Sequence, residues 1–208
     1  MKYPRTRHLA NSESISDDDE ILENDQCLIG ENVIYTEKLD GECTSMKKHG
    51  CHARSEESAH HPSQSWVKSL HAQIAWKIPE YIQIVGENVY AKHSIFYDKL
   101  STFFYVFAAI DLEGEFFLSV HDTLEICDYL DLKYVPILHK GMFDATFKVP
   151  TKSAFGDEIE GYVVRNVDEF PVDKMSINIA KWVRKAHVKT DDHWKTKWLP
   201  NRIIDGTH

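Results

Sequence analysis

Short segments rich in β-branched and aromatic residues recur along almost the whole of this 208-residue chain. Turn-forming residues separate many of them, which is the pattern typical of strands. The segments that predict strands are 32–36, 51–54, 81–85, 103–110, 115–119, 133–137, 161–165 and 176–183. Because they follow one another in runs, a mainly antiparallel sheet system is favoured over alternating βαβ units.

Two further segments have the apolar spacing of a helix. Apolar residues recur at helical intervals over 65–75 and again over 122–130, where Asp122 or Thr123 can cap the first turn. Helices and runs of strands together indicate the α+β class. We find neither an internal repeat nor a linker, so we expect residues 1–208 to form a single domain.

The charges are acidic overall and unevenly distributed. The formal net charge is −9, from 24 Lys and Arg against 33 Asp and Glu, which argues against a protein that coats nucleic acid through bulk electrostatics. Residues 11–31 carry eight acids and no lysine or arginine, whereas residues 172–202 carry eight lysines and arginines against three aspartates. We expect an acidic surface loop and a C-terminal segment able to contact phosphate.

No segment predicts a membrane span or a secretory leader. The longest apolar run, 103–110, is far shorter than the roughly 20 residues that a spanning helix needs. The N-terminus lacks the apolar stretch of a signal peptide, and the four cysteines show no Cys-x-x-Cys pair. We expect a cytoplasmic protein with reduced thiols and no membrane partner.

A lysine stands directly after a predicted strand and before an Asp-Gly pair, in the segment 35–42. Asp-Gly is a strong hairpin signal, so one interpretation is a simple turn between paired strands. The other makes Lys38 a nucleophile. A lysine amine attacks only in its neutral form, which burial or neighbouring cations favour.

The order of several motifs favours the nucleophile. Lys38-Leu39-Asp40-Gly41 matches the Lys-x-Asp-Gly motif of the covalent nucleotidyltransferases, which include ATP-dependent ligases and mRNA capping enzymes. Further segments resemble this superfamily in the same order: 53–55, 86–94, 104–107, 160–165, 181–184 and 187–194. Taken together, the chain most resembles the small RNA ligase domains of bacteria and their phages.

The resemblance implies an α+β, ATP-grasp-like nucleotidyltransferase domain of antiparallel sheets with a few helices. Only 27 residues follow Lys181, too few for a C-terminal OB-fold. The implied activity is ATP-dependent ligation of RNA 5′-phosphate and 3′-hydroxyl ends through a covalent lysyl-AMP, with Mg²⁺ or Mn²⁺. Two alternatives stay open, namely a DNA ligase or guanylyltransferase and a non-catalytic RNA-binding module of the same fold.

The resemblance also assigns roles to individual residues. Lys38 would form the phosphoramide with AMP, and Glu87 would contact the ribose hydroxyls. Phe107 would stack on adenine, and Glu160 would help to hold the metal. The complete set of predicted ATP-binding residues is Glu37, Lys38, Asp40, Gly41, Arg54, Glu87, Phe107, Glu160, Lys181 and Arg184.

Two positions depart from the motifs of related ligases. Many ligases have Lys-x-Lys in the last motif, but Val183 stands at the second lysine, so Arg184 or Lys185 would have to replace it. Cys43 stands where related RNA ligases often have an asparagine. Single residues of the predicted site also have a purely structural interpretation. Phe107, for example, has the apolar neighbours of an ordinary core residue.

Overall fold

The computed structural model describes residues 1–15, 19–22, 25–54, 61–185 and 199–204. Within these residues the chain forms three α-helices, α1 (Ser65–Ile74), α2 (Val120–Leu130) and α3 (Met175–Asn178). The strands of the same residues are β1 (Arg7–His8), β2 (Asn32–Lys38), β3 (Glu42–Lys47), β4 (Gly50–Ala53), β5 (Ile82–Asn88), β6 (Phe104–Asp111), β7 (Phe116–Phe117), β8 (Lys133–Tyr134), β9 (Ile137–Met142), β10 (Gly161–Asn166), β11 (Phe170–Pro171) and β12 (Ile179–Val183).

The strands form two sheets. The first has the order β1-β12-β10-β2-β9, and the second has the order β11-β7-β6-β5-β3-β4, with β8 paired to β6. Among the strand pairs of the described residues, only β1–β12 and β6–β8 are parallel. The predicted α+β fold of mainly antiparallel sheets is confirmed, and neither sheet closes into a barrel within the described residues.

Helices α1 and α2 cover the outer face of the second sheet. Val67 and Ile74 of α1 and Cys127 and Leu130 of α2 pack in one buried cluster with Ile84 of β5. Both helices lie where their apolar spacing predicts. The predicted cap of α2 was wrong, because the Ser119 hydroxyl accepts the hydrogen bond from the Asp122 amide and the helix starts two residues earlier than expected.

The structure rules out one interpretation of the local sequence and corrects two predictions from it. Asp40-Gly41 is not the turn of a hairpin, because β2 and β3 belong to different sheets. The segment 133–137 divides between β8 and β9, and the segment 176–183 divides between α3 and β12. In the last two cases, a segment with strand propensity is divided by a change of sheet or of element. Short-range sequence patterns do not encode such a change.

The inner faces of the sheets face each other across a cleft. In the first sheet, Lys38 pairs with Gly161 and Thr36 with Val163, while Lys181 pairs with Val163 from the other side. Residues two apart on a strand share a face, so Lys38, Thr36, Val163 and Lys181 lie on one surface. No helix in the described residues is long and apolar enough to span a membrane.

Candidate active site

A cavity of about 480 Å³ lies between the two sheets. Its walls come from β2, β10 and β12 of the first sheet and from β3, β5 and β6 of the second. Seven of the ten predicted site residues line it: Glu37, Lys38, Gly41, Arg54, Glu87, Phe107 and Lys181. Motifs that are far apart in the chain are thus brought to one cavity.

Lys38 ends β2 at the edge of this cavity and is held by Glu160. Its Nζ lies 2.7 Å from each carboxylate oxygen of Glu160, which directly precedes β10. Burial alone would lower the pKa of Lys38, but the nearby charges of Glu160, Glu87 and Asp40 outweigh it and raise the pKa to about 12. The lysine is therefore protonated at neutral pH, in contrast to the expected setting of neighbouring cations.

Glu87 lies on β5, opposite Cys43 of β3. Its Oε1 accepts a hydrogen bond of 3.1 Å from the Gly41 amide. Burial raises the pKa of Glu87 to about 8, and repulsion from Glu160 and Asp40 adds to this effect against the attraction of Lys38. At neutral pH the carboxyl is largely protonated, so it can donate as well as accept a hydrogen bond.

Asp40 and Gly41 shape the chain between the sheets. The Asp40 carboxylate accepts hydrogen bonds from the amides of Ser94 at 2.7 Å and Ile95 at 2.8 Å, which ties this crossover to the segment after β5. A Cβ at Gly41 would lie 2.5 Å from the Asn88 carbonyl oxygen. Asp40 does not itself line the cavity. It positions the crossover that carries Lys38.

Glu37 precedes the lysine and is almost completely buried. Its carboxylate accepts hydrogen bonds from the Ser153 hydroxyl and from the Ala154 amide, the latter at 3.0 Å. Burial raises the pKa of Glu37. These contacts attach residues 153–154 to the end of β2 and so fix the position of the strand end that carries Lys38.

Phe107 stands at an irregularity in the second sheet. Val85 pairs with Ala108 and Gly86 with Val106, so Phe107 has no partner on β5. Such a bulge re-aims a side chain, and the partly buried ring of Phe107 lines the cavity. Arg54 follows β4, lines the same cavity and is anchored by its amide, which donates to the Cys43 carbonyl.

Lys181 lies on β12 and has an acidic partner. Its Nζ contacts Asp19 Oδ1 at 3.2 Å, and His8 Nε2 lies 3.3 Å from the other oxygen of Asp19. Burial, together with repulsion from Lys38, lowers the pKa of Lys181. A carboxylate from the acidic segment thus occupies a position beside the cation predicted to bind phosphate.

Arg184 is not brought to the cavity. Its guanidinium pairs with Glu158 at 2.7 Å, and the Lys185 amide donates to Glu13. Val183, the intervening residue of the last motif, is buried. A phosphate contact by Arg184 therefore remains a prediction, while Ser55 and the motif at 187–194 lie outside the described residues.

The cavity is also lined by residues that were not among the predicted site residues: Tyr3, Pro4, Thr6, Thr36, Leu39, Glu42, Cys43, His93, Val135, Val163, Arg165 and Ile179. Thr36, Val163 and Arg165 were within reach of sequence reasoning, because they alternate with predicted strand residues on the inner face. The N-terminal residues carried no such signal, since contacts with distant strands, such as the β1–β12 pairing, bring them here.

Comparisons with known proteins agree with this geometry. The RNA ligase family model matches residues 31–183, whereas no curated protein matches the sequence. Three structures of Naegleria gruberi RNA ligase mutants are similar: two with ATP and Mn, at TM-scores of 0.59 and 0.60, and one with AMP and Mn, at 0.61. Each is 15% identical and covers 89–90% of this chain.

The present chain spans only 56–57% of those ligases. At such low identity the structural likeness establishes a shared fold. The family model itself covers well over half of the 208 residues and includes Lys38, Glu87, Glu160 and Lys181. The chain therefore belongs to the RNA ligase family.

Proposed function

We propose that this protein is an ATP-dependent RNA ligase that works through an AMP adduct on Lys38. Lys38 takes AMP from ATP, the AMP passes to an RNA 5′-phosphate, and an RNA 3′-hydroxyl then displaces it. The observation that carries the proposal is the contact of Lys38 with Glu160 beside a cavity that Glu87, Phe107 and Lys181 share.

The first step is a substitution at phosphorus. The Lys38 Nζ attacks the α-phosphorus of ATP, a P–N bond forms, the P–O bond to the β-phosphate breaks, and pyrophosphate leaves with the bonding electrons. Lys38 must first lose a proton, and its ion pair with Glu160 opposes that loss. Lys181 and Arg54 are two of the cations that line the cavity, and they can balance negative charge on the phosphates.

The residues around Lys38 fit a divalent cation. The Glu160 carboxylate contacts Lys38, the Glu87 carboxyl interacts with the same positive charge, and oxygen ligands of this kind suit Mg²⁺ or Mn²⁺. Glu160 is the residue that would hold the ion. When bound, the ion supplies positive charge that neutralises the phosphate oxygens.

The remaining roles follow from the cavity walls. Glu87, largely protonated at neutral pH, is suited to hydrogen-bond a ribose hydroxyl as donor and acceptor. The Phe107 ring provides a flat surface on which adenine can stack, a contact that aromatic side chains make with every base. The base would then lie deeper in the cleft than the phosphates.

We also infer that residues 1–208 act as one domain and that the protein works in the cytoplasm. Contacts between distant parts of the chain support the first point, since β1 pairs with β12 and the Leu100 amide donates to the Arg202 carbonyl. Limited proteolysis should leave one stable fragment that contains both Lys38 and Lys181. Early release of two stable fragments would contradict the single domain.

The function is tested by ligation. Purified protein with Mg²⁺ or Mn²⁺ is given paired RNA strands that carry a 5′-phosphate and a 3′-hydroxyl, with ATP, with GTP, or without nucleotide. We expect sealed product in the reaction with ATP, and none in the reactions with GTP or without nucleotide. The matched controls are RNA with a 5′-hydroxyl and the same strands made of DNA.

The alternatives predict different outcomes. Sealing of DNA ends in preference to RNA would indicate a DNA ligase, and labelling by GTP would indicate a guanylyltransferase. RNA binding without any covalent nucleotide adduct would indicate a non-catalytic module. A protein that forms the adduct yet seals none of the RNA pairs would contradict the ligase assignment.

A further inference from the structure

The segment before β1 crosses the cleft from one sheet to the other. At one end, the main-chain nitrogen of Met1 donates to Gln83 Oε1 of β5 in the second sheet, at 3.2 Å. At the other end, Arg7 and His8 form β1 and pair with β12 of the first sheet. Residues 1–6 are therefore fixed to both sheets and close one end of the space between them.

This closed end lies opposite the Lys38 end of the cleft. Because β1 runs parallel to β12 with Arg7 at the level of Ala180, residues preceding Arg7 lie toward Ile179 and away from Val183. On β5, Gln83 is four residues from Glu87, a separation of roughly 13 Å along a strand. The segment therefore stands beyond the site of Phe107, where a nucleotide attached to Lys38 would present its base.

Tyr3 is the side chain that fills this end. Its ring lies 5.2 Å from the ring of Phe107 at an angle of 69° and 5.9 Å from the ring of Phe117. Tyr3 is only 7% exposed, and it lines the cavity together with Pro4 and Thr6. Aromatic rings favour edge contacts of this kind, so Tyr3 helps to orient the ring on which the base would stack.

We propose that Tyr3 is a specificity-determining residue that forms the end wall of the base site and orients Phe107. This inference rests on the proposed binding of ATP with its phosphates at Lys38. The edge of adenine that carries the N6 amine is remote from the ribose, so it would face this wall. With the Tyr3 ring in place, the site admits adenine but excludes a base with a bulky group on that edge. Packed protein interiors tolerate added volume poorly.

The test compares the binding of ATP and N6-benzyl-ATP by calorimetry in EDTA, which prevents the covalent step. We expect wild-type protein to bind N6-benzyl-ATP about 10-fold or more weaker than ATP. Tyr3→Ala should reduce this ratio by about the same factor, since it removes the wall. Tyr3→Phe, which keeps the ring, should retain the wild-type ratio.

A second variant distinguishes loss of the end wall from a general loss of stability. Met175 is buried in the same cluster as Tyr3 but does not line the cavity, so Met175→Ala should leave the ratio unchanged. The inference is overturned if N6-benzyl-ATP binds wild-type protein as tightly as ATP, or if Tyr3→Ala weakens both nucleotides equally.

These results are distinguishable from failure of the proposed function. An unchanged ratio in Tyr3→Ala, with a normal adduct on Lys38, would overturn the wall and leave the ligase intact. A shifted ratio in a protein that never forms the adduct would support the wall and overturn the ligase.

Discussion

Lys38 is held by Glu160 in a contact that keeps the lysine protonated. From the sequence we expected burial or neighbouring cations to favour a neutral amine, but carboxyl groups surround it and raise its pKa to about 12. Whether the neighbours of a motif lysine are acids or bases depends on which strands lie beside it. Here the β2–β10 pairing places Glu160 next to Lys38, and local sequence does not encode that pairing.

The first prediction concerns this ion pair. Glu160→Gln removes the charge that hydrogen-bonds Lys38, so the pKa of Lys38 should fall. A fall of one pH unit raises the neutral fraction of an amine about tenfold. We therefore expect the rate of Lys38 modification by a small amine-reactive reagent, measured by peptide mass spectrometry at pH 8, to rise by about that factor. Glu158→Gln, at an exposed partner of Arg184, is the control and should leave the rate unchanged.

The second prediction concerns the Glu87 proton. Because the folded-state pKa of about 8 lies above the ordinary value of 4.5, the folded protein binds this proton more tightly than the unfolded chain. The resulting stabilisation is complete below about pH 4.5 and is lost as the pH rises through about 8. Relative to Glu87→Gln, wild-type protein should lose about 2–3 kcal/mol of unfolding free energy between pH 5 and pH 8.5, after allowance for the partial exposure of the side chain.

Urea unfolding at both pH values measures this difference. Glu113→Gln, at an exposed turn, should show no such change relative to wild type. An equal pH dependence in wild-type protein and in Glu87→Gln would contradict the raised pKa of Glu87.

At the scale of elements, the crossover between β2 and β3 builds the site. The local sequence Asp-Gly is compatible with a hairpin, and only the pairing of β2 with β10 and of β3 with β5 shows that the chain changes sheet here. The strands and helices with long periodic patterns were predictable because their own residues encode them. β1, β3 and most of β9 were not predicted. Two residues paired to a distant strand leave no pattern, and the sequence of β3 is largely polar.

The third prediction tests the packing of β10 against β12. A Cβ at Gly161 would collide with the main-chain carbonyl oxygen of Trp182, which cannot move without disturbing the ladder. Gly161→Ala should therefore lower the free energy of unfolding by about 1–3 kcal/mol or more. Gly114→Ala, whose Cβ would meet its neighbours at 3.4 Å, should have a much smaller effect in the same urea titration. Equal losses in both variants would argue against the close approach.

At the scale of the whole molecule, the proposed RNA ligase activity requires an acidic protein to bind a polyanion. The net charge of −9 disfavours RNA except where cations are concentrated, and Lys181 is screened by Asp19. The basic run near the C-terminus is the clearest candidate for further phosphate contacts. Residues 186–198 of that run lie outside the described residues, so its assignment rests on sequence alone.

The fourth prediction concerns this basic run. Lys195→Glu combined with Lys197→Glu should weaken RNA binding and flatten the dependence of log affinity on log salt, because fewer counterions are released. Filter binding or fluorescence anisotropy at several salt concentrations measures both quantities. Lys133→Glu with Lys140→Glu makes the same change in net charge at exposed positions and should have the smaller effect. An unchanged slope in the Lys195 and Lys197 variant would contradict the placement.

The overall fold could be predicted, and so could most residues proposed for the candidate site, because the motifs are local strings that occur in a fixed order. Lys38, Glu87 and Lys181 each lie within such a string, and the fold brings all three to one cavity. The end wall was not predictable in this way. Tyr3 reaches the cavity only because Met1 and β1 are fixed to different sheets, which is a property of the assembled molecule.

The most direct measurement is incubation of the protein with α-labelled ATP and Mg²⁺, followed by denaturing electrophoresis. We expect wild-type protein to carry a label that survives denaturation, and we expect Lys38→Arg to carry none, since the guanidinium keeps its charge but cannot act as the nucleophile. Lys48→Arg, a surface change at a lysine paired with Glu80, should be labelled like wild type. No label in wild-type protein with either Mg²⁺ or Mn²⁺, or equal labelling of Lys38→Arg, would contradict the assignment of Lys38 as the nucleophile.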